Sequence, residues 1–237
     1  MVNTKSVPIF GYKIVKSCGI QCTEDNKDLK IPTVTHILSE TMSPKVKAAL
    51  ERWKKNMIDI YGETYFKIYC EGLLNSGKLF HSYVRMMFLR NLNDIPPSIK
   101  PIYCSIQPIL KDMQICHGVE TNVIHPILRY KSIINCIASY RGHIYLVDWK
   151  KSRERKTSLA ISYDAPIQVA AYIGAINTFN KYPFNKIDKG LVIVAYTSGE
   201  PASIYELKDD TLQIAWREWL NRLEQFHANY NKDSLNT

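Results

Sequence analysis

The sequence lacks three features that would fix its class at once: a membrane-length apolar run, a CxxC cysteine pair and an internal repeat. Because no apolar run approaches the roughly 20 residues of a membrane span, we expect no membrane association. The six cysteines form no dense framework and match no zinc spacing. They favour reduced thiols in an intracellular compartment and exclude a disulfide-rich fold. The 237 residues, 46% of them hydrophobic, suffice for one domain.

Acidic residues are scarce beside basic ones. Thirty-one Lys and Arg stand against 22 Asp and Glu, which gives a formal net charge of +9. This excess predicts a polyanionic partner, with nucleic acid ahead of a membrane surface. The first 23 residues contain lysine but neither arginine nor acid, so a mitochondrial targeting signal is weak here. We expect residues 1–30 to be a flexible lead-in.

Beyond residue 30 the sequence pattern predicts one domain over residues 31–230, followed by a tail at 231–237. Residues 31–112 are mainly helical in pattern, and residues 113–230 combine strand patterns with a C-terminal helix. A Ser-Pro pair starts a helix at Pro44, whose apolar stripe contains Leu50, Trp53 and Met57. The order of elements predicts an α/β fold, a mixed sheet with helices on its faces.

The positions of Gly and Pro predict where several helices end in the helical part of the chain. We expect helices to end before Gly62 and Gly77, and a third helix to cover roughly residues 78–92. Four prolines between residues 94 and 108 predict irregular chain there. Strands are predicted at 116–123, 127–130, 190–196 and 202–207.

A hairpin from Ser132 to Lys151 is the most informative stretch. Two apolar, β-branched runs flank Arg141-Gly142, which predicts a two-residue turn. In that register Ile137 faces Leu146, and Asn135 faces Asp148. Facing residues project to the same side of a sheet, so Asn135, Asp148 and Lys150 gather on one face.

Both faces of this hairpin are otherwise apolar, which favours a position inside the sheet over an exposed edge. A solvated edge hairpin is the alternative interpretation. A buried Asp two residues from a Lys needs partners or a metal. Carboxylates that hold Mg²⁺ or Mn²⁺ beside a lysine are what metal-dependent phosphodiester hydrolysis requires.

Three short motifs resemble one nuclease family. Asp148-Trp149-Lys150 resembles the Asp-x-Lys motif of the PD-(D/E)xK nucleases, while Gln168-x-x-x-Tyr172 and Gly77-x-x-x-His81 resemble the QxxxY and GxxxH motifs of its RecB-like branch. They occur in the family's order. The resemblance implies a restriction-endonuclease-like mixed β-sheet flanked by α-helices, with an N-terminal helical region.

Longer stretches, including TVTHILSETMSP, IYLVDWKKS and DAPIQVAAYIGA, resemble mitochondrial exonucleases of this branch. This resemblance implies cleavage of single-stranded DNA from free ends during mitochondrial DNA replication and maintenance, in the mitochondrial matrix. It assigns Asp148 as a metal ligand and Lys150 as the catalytic lysine. His81 would lie at the metal or the phosphate, and Gln168 and Tyr172 would orient substrate and site.

Two further groups complete the predicted site. Glu120, in the strand before the hairpin, is an acidic neighbour and candidate metal ligand. The basic loop after the hairpin is either solvated or in contact with phosphates. Its candidate nucleic-acid-binding residues are Lys151, Arg153, Arg155 and Lys156.

One departure from the family pattern leaves two functions open. Where the family has Gly-x-x-Asp with a metal-binding Asp, this chain has Ser132 and Asn135. Asn lacks the negative charge that sets much of a site's divalent affinity. Either Asp148, Glu120 and His81 retain the cation with Asn135 as a weaker ligand, or the protein binds single-stranded DNA without cutting it. In both cases we expect a monomer.

Overall fold

A computed structural model of the protein describes residues 31–89, 95–155, 164–179 and 186–235. The predicted lead-in at 1–30 lies outside these ranges. Within them the helices are α1 (Val34–Glu40), α2 (Pro44–Tyr61), α3 (Glu63–Phe88), α4 (Lys100–Asp112), α5 (Ala165–Phe179) and α6 (Asp209–Leu235). The strands are β1 (Met113–His125), β2 (Tyr130–Tyr140), β3 (His143–Ser152), β4 (Gly190–Tyr196) and β5 (Ser203–Leu207). Helix α6 thus extends into the segment predicted as a tail.

The five strands form one mixed sheet in the order β1-β2-β3-β4-β5. Strands β1, β2 and β3 are antiparallel neighbours, β4 runs parallel to β3, and β5 is antiparallel to β4. The parallel pair requires a crossover, which contains α5. Strand β3 therefore lies at the centre of the sheet, and this confirms the predicted α/β class.

The turn of the β2–β3 hairpin is the predicted two-residue one. Tyr140 pairs with His143, and Arg141 and Gly142 have φ of +49° and +82°, as in the turns that suit a right-handed strand twist. Ile137 pairs with Leu146, as predicted. The paired register ends at Cys136–Val147, so Asn135 and Asp148 are the next residues along each strand.

Helices cover both faces of the sheet and bury two apolar layers. Helices α1, α5 and α6 pack on one face and enclose Ile134, Ile137 and Leu146. Helices α3 and α4 pack on the other face, over Cys136 and Val147.

The period of two expected along β2 would place Ile134 on the same face as Cys136, and this expectation was wrong. Ile134 packs in the layer of Ile137 instead, because the alternation of β2 breaks at Asn135. Opposite this step, Glu120 of β1 has φ of +45°.

Two boundaries in the helical part also differ from prediction. Helix α3 continues through Gly77, since an added Cβ there would meet nothing within 4 Å and an isolated glycine costs a helix only about 1 kcal/mol. Helix α4 forms despite Pro101 and Pro108. Pro101 lies in the first turn, where its missing N–H is not needed, and buried Ile102, Ile106 and Ile109 anchor the helix.

The strand predicted at 127–130 does not form, because residues 126–129 are the turn between β1 and β2. None of the described helices is long and apolar enough to span a membrane.

Candidate active site

Asp148 is a buried acid on the central strand. Its side chain is 1% exposed, and it lies between Leu146 and Lys150 on the sheet face that α5 covers. Oδ2 lies 2.8 Å from Lys150 Nζ, an ion pair without hydrogen-bond geometry, and Oδ1 has no hydrogen-bond partner. A carboxylate oxygen in this state costs free energy of folding unless a ligand completes it.

Helix α5 orients the lysine through two polar side chains one turn apart. Lys150 Nζ donates a 2.7 Å hydrogen bond to Gln168 Oε1, and Gln168 Nε2 donates to the Tyr172 hydroxyl. Burial and then the nearby Asp148 charge raise the pKa of Tyr172 to about 12, although hydrogen bonds with Ser132 and Gln168 lower it. Tyr172 therefore stays neutral and can serve as a fixed hydrogen-bonding group.

Helix α3 brings His81 to the same site. The Asn135 Nδ2 and His81 Nδ1 atoms are 3.4 Å apart. Burial lowers the pKa of His81, while the charge of Asp148 raises it and that of Lys150 lowers it. His81 thus interacts electrostatically with both members of the ion pair, and it is neutral at physiological pH.

Glu120 approaches the site from β1 but is paired with another residue. Its Oε2 accepts a 2.9 Å hydrogen bond from Arg85 Nη1, so the two residues form a salt bridge. Both side chains are partly exposed. Arg85 lies one turn after His81 on α3, and it was not among the predicted site residues. The positive φ of Glu120 beside Asn135 is a backbone irregularity of the kind that clusters at functional sites.

The predicted nucleic-acid-binding residues lie at the end of β3. Lys151 Nζ donates a 2.5 Å hydrogen bond to Ser76 Oγ of α3, and burial lowers the pKa of Lys151. The side chains of Arg153 and Arg155 are exposed. Lys156 lies outside the described residues. Ser76 was not predicted, because nothing in its local pattern marks it.

The oxygen atoms at the site are of the type that binds a divalent cation, but they carry little net negative charge. Asp148 Oδ1 lacks a partner, the Asn135 side chain carries a carbonyl oxygen, and oxygen donors are what Mg²⁺ and Mn²⁺ prefer. Yet the described residues contain no group of three or more His, Cys, Asp or Glu side chains arranged for a metal ion. Lys150 and Arg85 each neutralise one of the two nearby carboxylates.

Taken together, the mixed sheet, the Asp-x-Lys pair on its central strand and the glutamine–tyrosine pair on α5 define a restriction-endonuclease-like α/β protein. This agrees with the predicted fold. Asp148, Lys150, Gln168 and Tyr172 form one connected group. His81 interacts electrostatically with Asp148 and Lys150 of this group, and it contacts Asn135.

Sequence comparison gives a specific relationship. The chain is homologous to mitochondrial genome maintenance exonuclease 1, with 37% identity over 199 residues to the Xenopus tropicalis protein and 36% over 200 residues to those of Mus musculus and Homo sapiens. Each match covers 83% of this chain but only 57–59% of the relative. The chain therefore spans less than two thirds of the length of these relatives. No family model matches it.

Proposed function

We propose that the protein is a metal-dependent exonuclease that hydrolyses single-stranded DNA from free ends in the maintenance of mitochondrial DNA. The observation that carries this proposal is the buried Asp148–Lys150 pair, held by Gln168 on the central strand. Relatives at 36–37% identity named as mitochondrial exonucleases support both the reaction and the compartment, which we take to be the matrix.

In this proposal Asp148 and Asn135 would hold Mg²⁺ or Mn²⁺, and the cation would supply Lewis-acid chemistry for hydrolysis of the scissile phosphate. Lys150 Nζ, fixed between Asp148 and Gln168, positions the attacking water or stabilises the charge that develops on phosphate. Tyr172 keeps Gln168 in place. His81, which contacts Asn135, would bind the phosphate or the cation.

The positively charged end of β3 supplies the binding surface for the DNA backbone. Lys151 is tied to α3 beside the site, and Arg153 and Arg155 project into solvent from the following loop. With Lys156 they would contact phosphates, and affinity should therefore fall as salt concentration rises.

A second candidate is a protein that binds single-stranded DNA without cutting it. The absence of a second free carboxylate among the described site residues favours it, because Asn135 is neutral and Glu120 is paired with Arg85. Divalent affinity depends strongly on ligand charge.

Cleavage of end-labelled single-stranded DNA with Mg²⁺ or Mn²⁺ tests both candidates. The active-nuclease proposal expects degradation of linear but not circular DNA, and loss of cleavage in Asp148→Ala and Lys150→Ala. Asp188→Ala, an exposed acid beside β4, is the matched control and should cut normally.

Asn135→Asp separates the two candidates. If the wild-type protein is inert and Asn135→Asp cuts, the protein is a binding module whose site lost a ligand. If neither protein cuts or retains single-stranded DNA, both candidates are excluded.

A further inference from the structure

Helix α2 and the first part of α3 leave many large apolar side chains exposed. Helix α2 carries the predicted amphipathic pattern, yet it has no buried residue. The side chains of Trp53, Tyr61 and Tyr65 are 39%, 55% and 47% exposed. A stable soluble domain rarely exposes so many large aromatic groups together unless they serve an interaction.

These aromatic side chains form a continuous row, which we define as Trp53, Tyr61, Tyr65, Phe66 and Tyr69. Ring centroids of Tyr61 and Tyr65 are 5.0 Å apart, and those of Tyr65 and Tyr69 are 6.3 Å apart with planes at 18°. Trp53 of α2 lies 5.7 Å from Phe66 and 6.4 Å from Tyr69. The aromatic row thus joins both helices, and its rings at Trp53, Tyr61 and Tyr65 are exposed.

The charge around the aromatic row favours a polyanion. Residues 44–88 contain eight Lys and Arg against four Asp and Glu. The Lys54 ammonium group lies 6.0 Å from the ring centroid of Phe66, a member of the aromatic row. Stacking aromatics beside basic side chains are how proteins bind single-stranded nucleic acid without sequence preference.

Helix α3 connects the aromatic row to the candidate active site. Tyr65, Tyr69 and Ser76 are spaced by four and seven residues, which puts them on one face of α3. Ser76 accepts the hydrogen bond from Lys151, and His81 contacts Asn135. At 1.5 Å per residue, Tyr69 is only about 18 Å along the helix from His81, a few nucleotides of DNA.

We propose that the aromatic row is a stacking track for single-stranded DNA, which binds the strand beyond the scissile phosphate and leads it to Lys151 and Asp148. This inference rests on the proposed function. It adds a binding surface that lies outside the site and outside the basic loop.

Binding of oligodeoxythymidine by fluorescence anisotropy, with EDTA present to prevent cleavage, tests the track. The double variant Tyr61→Ala/Tyr65→Ala should bind an oligonucleotide of about 20 nucleotides at least about fivefold more weakly, the lower end of the loss for one stacked base. An oligonucleotide of about 4 nucleotides, too short to span the track and the site, should show a smaller loss.

Two control proteins isolate stacking from general effects. Ile60→Ala/Ile68→Ala removes equally exposed apolar side chains of the same helices that lie outside the row, and it should bind as the wild type does. Tyr61→Phe/Tyr65→Phe keeps the rings and should restore most of the affinity, because stacking needs the ring and not the hydroxyl.

Tryptophan fluorescence gives an independent reading. Of the four tryptophans, Trp53 is exposed, whereas Trp149, Trp216 and Trp219 are buried. Addition of the long oligonucleotide should quench the emission of the wild-type protein, and Trp53→Phe should remove most of that quenching. Unchanged emission on saturation with DNA would overturn the track.

Failure of this inference differs from failure of the proposed function. If Tyr61→Ala/Tyr65→Ala binds the long oligonucleotide as tightly as the wild type, the track is wrong, while Mg²⁺-dependent cleavage of the same oligonucleotide would still support the nuclease. If the double variant instead loses a concentration-dependent self-association and keeps its DNA affinity, the row is a protein interface and the track is equally wrong.

Discussion

Gln168 of α5 accepts a 2.7 Å hydrogen bond from Lys150 of β3, and this contact ties the crossover helix to the central strand. A flexible lysine would otherwise sample many rotamers. Between Asp148 Oδ2 and Gln168 Oε1, its ammonium group is held at one position. In the proposed reaction the glutamine would therefore act through the lysine, as a positioning residue.

For the proposed nuclease, Gln168→Ala should lower kcat on single-stranded DNA by about 10- to 100-fold, the usual loss when a residue that supports a metal site is removed. KM should change little, because Gln168 is partly buried behind Lys150 rather than on the basic surface. Steady-state kinetics with Mn²⁺ measure both values.

Gln107→Ala, an exposed glutamine on α4, is the matched control and should leave both values unchanged. Equal losses of kcat in the two variants, or a Gln168→Ala effect confined to KM, would contradict the positioning role.

Asp148→Asn should leave the protein at least as stable as the wild type while abolishing cleavage. The unpartnered Oδ1 costs about 1–3 kcal/mol, and an uncharged amide of the same shape relieves part of that cost. A gain of about 1 kcal/mol would raise Tm by about 2–4 °C in a chain of this size.

Thermal unfolding with and without Mn²⁺ measures this effect. The cation should raise the Tm of the wild type and not that of Asp148→Asn, since only the former offers the carboxylate ligand. Leu146→Asn, at an equally buried position on the same strand, should lower Tm in either buffer. A lower Tm for Asp148→Asn than for wild type would show that the acid is structural.

The strand pattern and the turn residues were enough to predict the hairpin and its register. Arg141-Gly142 fixed the turn, and the turn fixed which residues face each other down to Cys136 and Val147. The glutamine–tyrosine pair needed only the helical period, because Gln168 and Tyr172 are one turn apart. Local chemistry of this kind is readable from sequence.

What escaped prediction depends on contacts between distant segments. The Glu120–Arg85 pair joins β1 to α3, and no pattern within either element indicates it. Helix α4 forms because its isoleucines pack on the sheet, which outweighs the propensity of its two prolines. Similarly, the apolar stripe of α2 was visible in the sequence, but nothing in it indicates that the fold leaves α2 without a buried residue.

Acid should destabilise the protein through His125. This residue is fully buried, and burial lowers its pKa to about 4 from the ordinary 6.5. As the pH falls from 6.5 towards 4, the unfolded chain takes up a proton that the folded protein refuses, so stability falls with pH. The full loss in the free energy of unfolding is about 3 kcal/mol.

Urea unfolding at several pH values between 7 and 4 measures this loss. His125→Asn keeps an acceptor for the Leu128 N–H, which lies 3.1 Å from His125 Nδ1, but cannot take a proton. Its stability should therefore fall less steeply than that of the wild type over the same range. His143→Asn, exposed at the hairpin turn, should follow the wild-type slope. Parallel slopes for wild type and His125→Asn would refute the prediction.

The same substitution at two helical glycines should have opposite effects on stability. A Cβ at Gly174 of α5 would lie 2.4 Å from Trp216 Cζ3 of α6 and 3.2 Å from the Tyr130 hydroxyl oxygen. Overpacking of this kind costs about 1–3 kcal/mol. A Cβ at Gly77 would meet nothing within 4 Å, and alanine in an open helical position gains about 0.5–1 kcal/mol over glycine.

Urea unfolding of Gly174→Ala and Gly77→Ala should therefore give free energies of unfolding below and above the wild-type value, respectively. The near-ultraviolet circular dichroism of Gly174→Ala should also change, because Trp216 must move to admit the methyl group. Gly77 belongs to the GxxxH pattern beside His81, so the pair of variants also tests why it is glycine. If Gly77→Ala is more stable but cuts DNA poorly, the open space above Gly77 is needed for the approach of the substrate and not for the fold.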